Sequence, residues 1–77
     1  MPTVLRILGY RFFFYSNKGN EPPHIHIEKG EARGKYWLVP IRAAYMEGFS
    51  ASETRKVALI MEQYRDYFKQ KWDEYFG

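Results

Sequence analysis

The 77-residue chain contains no cysteine, so neither a disulfide nor a thiolate metal ligand is available to it. It holds two histidines, His24 and His26, one residue apart. A closed tetrahedral zinc site therefore lacks ligands of the usual types. No apolar run approaches the ~18 residues of a membrane-spanning helix. Residues 1–15 carry Arg6 and Arg11 and show no small-residue cleavage site, which argues against a signal peptide. Neither glycine nor proline occurs between residues 49 and 76. Glycine-rich phosphate loops, zinc-finger spacings and a Ser–His–Asp pattern are missing as well. "GFSAS" lacks the flanking glycine and strand context of a nucleophile elbow and reads as a helix entry.

Aromatic residues are abundant, at 19% of the chain, within a hydrophobic fraction of 45%. Each buried ring removes roughly 150–250 Å² from water, enough for a short chain to close a core without covalent staples. The length allows one domain, 1–77. A net charge of +3, from 12 basic and 9 acidic residues, permits binding to an acidic protein or a nucleic acid without demanding either. These features together lead us to expect a cytoplasmic protein with no cofactor.

Periodicity divides the chain. Residues 3–46 read as β, in short runs separated by glycine or proline. "TVLRIL" and "HIHIE" alternate with period two, and the aromatic-rich "YRFFFYS" and "KYWLV" are further strands. "IRAAYM" fits a fifth strand or a short helix, the strand being preferred. The stretches 17–23 and 29–34 are turns by composition. Strands so closely joined pair as antiparallel neighbours. From Ser50 onward the pattern becomes helical. Ser50 and Glu53 have capping-box spacing, and Phe49 is placed as a hydrophobic staple. Val57, Met61, Tyr64, Phe68, Trp72 and Tyr75 then follow at spacings of three and four. One helix over about 51–75 is expected, ~37 Å long. The fold class is α+β, a small antiparallel sheet of four to five strands packed on one long C-terminal helix.

In "PPHIHIE" the strand alternation sends Ile25 and Ile27 toward the helix and sets His24, His26 and Glu28 in a row on the other face. Two imidazoles and a carboxylate are metal-ligand types, so a metal site on these three residues is one reading. A second makes His24 and His26 the acid–base pair of a metal-independent ribonuclease, because imidazole changes protonation state near neutral pH. Arg11 and Tyr15, sharing a side of the second strand with Phe13, would support it, with Lys18 and Lys35 as further cations. A third reading gives the histidines a structural or interface role, with His24 bonding backbone groups of the preceding loop.

The motifs "RFFFYSN", "NEPPHIHIE" and the closing "WDEYFG" resemble a family of small bacterial proteins, domain of unknown function 4160. The likeness extends over essentially the whole chain. In many relatives a histidine follows the tryptophan near the C-terminus, where this chain has Asp73. Members are often encoded beside another small protein, domain of unknown function 2442, in a toxin–antitoxin-like arrangement. The resemblance thus implies a two-protein module acting mainly by protein–protein binding. The expected partners are that small protein or a second copy of the chain, with RNA as the alternative.

Overall fold

The computed structural model describes residues 3–17 and 19–77. Five strands form one antiparallel meander, β1(Thr3–Ile7), β2(Tyr10–Phe13), β3(His24–Lys29), β4(Ala32–Leu38) and β5(Ile41–Glu47), ordered in space as in sequence. Two helical segments follow, α1(Ala51–Gln63) and α2(Arg65–Phe76).

Two-residue turns set most of the register. Leu8 and Gly9 both take positive φ, 52° and 85°, the twist that a tight hairpin needs between Ile7 and Tyr10. Gly30 and Glu31 connect Lys29 to its partner Ala32. Val39 and Pro40 connect Leu38 to Ile41 through a cis peptide bond. The β2–β3 connection, residues 14–23, is longer. Its exit is tied down where the Leu38 N–H donates to the Pro23 carbonyl at 3.0 Å.

One face of the sheet is apolar and lies under the helices. Tyr10 and Phe12 from β2, Ile25 and Ile27 from β3, and Tyr36 and Leu38 from β4 meet Val57, Ile60 and Met61 of α1 and Phe68 and Trp72 of α2. Phe14, just past β2, joins them. Phe68 is fully buried and stacks on Phe12 with centroids 5.2 Å apart. Gly34 lies where β4 passes beneath Met46, and a Cβ there would strike the Met46 thioether.

The expected capping box is present. Ser50 Oγ accepts from the Glu53 N–H at 3.1 Å, and Glu53 Oε1 accepts from the Ser50 N–H at 2.9 Å. The expected single helix is instead two segments meeting at Tyr64, whose φ of −104° and ψ of 17° leave the helical region. Bonds from Tyr64 N–H to Ile60 O and from Phe68 N–H to Tyr64 O, both 2.9 Å, carry the helical path across this point. With no proline or glycine there, the break amounts to a bend. It lets α1 lie along β5 while α2 turns toward β2 and β4. Tyr64 is consequently half-buried rather than central, and Tyr67 and Tyr75 are exposed.

Because Phe68 fills the contact between the layers, Phe68→Ala should cost about 3–5 kcal/mol, a large share of the roughly 5–15 kcal/mol available to a small domain. The exposed Tyr67 keeps one hydrogen bond to the Val4 carbonyl, and Tyr67→Ala should cost about 1 kcal/mol. Urea unfolding of both variants checks the ranking, and equal losses would contradict this packing.

Candidate functional site

The uncovered face of the sheet is set by the same register. Phe13 lies opposite His26, and Arg11 opposite Glu28. Across β3, His24 faces Trp37, His26 faces Lys35 and Glu28 faces Arg33. Cross-strand partners share a face, so these residues form one surface.

Its two histidines have different surroundings. His26 is half-buried, with its ring 4.5 Å from that of Tyr15, 5.7 Å from Phe13 and 5.3 Å from His24. Burial pulls its pKa down to about 4, helped by the neighbouring His24 and Lys35 and opposed by Glu21. His26 is therefore a neutral imidazole at pH 7, able to accept a proton or a hydrogen bond.

His24 does not stand on the wet face as its place in the alternation suggests. It is 5% exposed, because α2 reaches around this end of β3 and brings the Trp72 ring to 5.2 Å. Its Nδ1 lies 2.8 Å from the Pro22 carbonyl, which can only accept, so Nδ1 carries the hydrogen. Nε2 lies 3.6 Å from Glu21 Oε1. The bond to Pro22 anchors the long loop at the start of β3.

The charged groups are matched to one another. Arg11 Nη1 donates to Glu28 Oε1 at 2.9 Å, its Nε donates to Thr3 Oγ1 at 2.8 Å, and the guanidinium lies 4.2 Å over Phe13. Arg33 reaches the other Glu28 oxygen at 3.7 Å. Lys35 Nζ donates to Glu21 Oε2 at 2.6 Å and sits 4.5 Å over Trp37. Lys35 and its hydrogen bond hold the Glu21 carboxyl below the usual range.

Of the residues expected from the sequence, His26, Tyr15 and Phe13 come together, with Lys35 facing His26. Arg11 stands one pair further along the strand, engaged by Glu28. Lys18 is outside the described residues. The triad His24, His26 and Glu28 does not converge, since Glu28 turns to the two arginines, and no three His, Cys, Asp or Glu side chains are grouped for a metal among the described residues. Asp73 accepts from Lys69 at 2.7 Å on the exposed side of α2, while Trp72 before it faces His24. Glu21, Trp37 and Trp72 were not singled out as site residues from the sequence. Trp37 was within reach, because counting back from a two-residue turn at Gly30–Glu31 pairs it with His24.

The depressed His26 pKa fixes the sign of a pH effect. Between the ordinary value near 6.5 and about 4, the unfolded chain binds a proton that the folded chain refuses. His26 thus lowers stability as pH falls through that window and has no such effect above it. Imidazole NMR titration should place its midpoint well below 6. Replacing His26 with Gln should flatten the stability profile between pH 6.5 and 4.

Comparison with curated proteins and with solved structures finds no match. The family described as Domain of unknown function (DUF4160) matches residues 9–73, a span that includes β2, the long loop, β3, β4, β5 and nearly all of the helical layer. The chain belongs to that family.

Proposed function

We propose that the chain is one half of a toxin–antitoxin-like pair in the cytoplasm and acts by binding a small partner protein on the open face of its sheet. The observation that carries this reading is the pairing of charge on that face. Arg11, Arg33 and Lys35 each already face a carboxylate of this chain. A surface for a phosphate backbone gains its affinity from cations free to neutralise phosphates, and Glu21 and Glu28 oppose that use. A protein surface suits this mixture better. Tyr15, 44% exposed, and Tyr45, 42% exposed, stand beside His26 and Lys35 as aromatic anchors of the kind that dominate protein interfaces. The resemblance to proteins encoded in pairs supports the same reading.

Co-expression with a small protein of the domain of unknown function 2442 kind should give a complex that survives purification. Tyr15→Ala and Trp37→Ala should each weaken it by about 2 kcal/mol or more, measured by calorimetry on folded variants. A complex indifferent to both substitutions would remove the open face from the interface.

RNA cleavage is the second reading, favoured by the placement of His26 between Phe13 and Tyr15, where a base can stack on an exposed ring. Neutral His26 suits the general base, while His24, expected from the sequence as its acid partner, is buried with Nδ1 on the Pro22 carbonyl. Cleavage would then persist in chelator, and His26→Ala would lose roughly 10²–10⁴-fold. RNA left intact by the wild-type protein and its complex ends this reading.

A further inference from the structure

β1 and β5 are the two edges of the sheet, and they differ. On β1 the Tyr67 hydroxyl donates to the Val4 carbonyl at 3.1 Å, so α2 already covers part of that edge. On β5 every residue from Arg42 to Tyr45 is exposed. Edges are commonly blunted by lysine or proline, and "IRAAYME" contains neither. No ion pair or side-chain hydrogen bond joins Arg42 or Glu47 to another described residue.

We propose that β5 pairs antiparallel with β5 of a second copy, Arg42 opposite Glu47 of the second copy, joining two five-stranded sheets into one. The contact is self-complementary, so the Arg–Glu pair occurs twice about the two-fold axis.

The bulge in β5 makes this register possible. In a regular strand, residues 42 and 47 point to opposite faces and cannot meet as a cross-strand pair. Here the register slips: Lys35 faces Tyr45 while Tyr36 faces Ala43, leaving Ala44 as an extra residue. The phase of the strand reverses beyond it. Arg42 and Glu47 therefore share the open face with their β4 partners Trp37 and Arg33, while Ala43 and Met46 share the helix side with Tyr36 and Gly34. With Arg42 opposite Glu47, Ala43 falls opposite Met46 and Ala44 opposite Tyr45. Unlike charges and like faces are matched together. Sliding the copies by one residue puts Arg42 against Met46, on the wrong face, or against Gly48, without charge. An edge bulge ordinarily discourages pairing; this one supplies the phase that a self-match needs.

The inference stands apart from the proposed function, because it uses an edge and a second copy rather than the open face and a different protein. Sedimentation equilibrium of the full chain alone should show a dimer. Arg42→Glu and Glu47→Arg should each weaken it by about tenfold or more, since like charges opposite one another are destabilising. The double variant R42E/E47R should recover the wild-type association. Tyr15→Ala should leave association unchanged. Circular dichroism melting, with all altered side chains exposed, separates dissociation from unfolding. A wild-type monomer at every concentration overturns the proposal. So does a single reversal without effect, a double variant no better than the singles, or a dimer lost with Tyr15→Ala.

Discussion

β3 stands at the centre of the meander, and its alternation decides what every neighbouring residue faces. Ile25 and Ile27 have no exposure and lie under the helices, which obliges their partners Tyr36, Gly34 and Phe12 to lie there too. Sliding β3 by one residue would put both isoleucines in water and both histidines in the core, costing about 2 kcal/mol for each isoleucine before the imidazoles are counted. The aromatic layer of α2 is shaped to this arrangement. Phe68 stacks on Phe12, and Trp72 closes edge-on against Phe14. Both faces therefore follow from one choice of phase: the core behind β3 and the mixed surface in front of it.

That phase explains why adjacent histidines on one strand differ. His26, mid-strand, is bounded by cross-strand neighbours and the returning loop, which exclude much of the water but leave one side open. His24 begins the strand, where the twisted sheet no longer separates its faces cleanly and Trp72 reaches it from the helical layer. Its Nδ1 is committed to the Pro22 carbonyl. Of the two, His26 is the group placed to meet a molecule arriving at the face, and His24 holds the loop that shapes its surroundings.

Much of this was legible in the residues. The strand runs, the capping box at Ser50 and Glu53, and the inward direction of Ile25 and Ile27 all follow from local periodicity and turn chemistry. What was not legible depends on contacts between distant segments. Trp72 covering His24 requires knowing how far α2 reaches around the sheet, which the spacing of its apolar residues does not encode. The bend at Tyr64 is invisible for the same reason, since no helix-breaking residue marks it. The ion pair between Glu21 and Lys35 depends on the path of a loop with no period of its own. A turn as wide as 29–34 hides two further pairings. Read as the two-residue turn it is, it places Trp37 beside His24 and Lys35 beside His26.

The electrostatics of the face run against its composition. A chain of net charge +3 invites a nucleic-acid reading, yet excess charge attracts phosphate only where it is exposed and unmatched. On the open face Glu28 lies between Arg11 and Arg33, and Glu21 caps Lys35. Such partly exposed pairs contribute little to folding. Their larger effect is on recognition, because two carboxylates amid three cations weaken the attraction for a polyanion while offering a protein both donors and acceptors. The aromatic rings add apolar area in the same place, where Tyr15 and Tyr45 remain in water although neighbouring Phe13 is covered by Arg11, Tyr15 and His26. This partial matching of charge, together with the rings left exposed, is what supports the proposal of a protein partner.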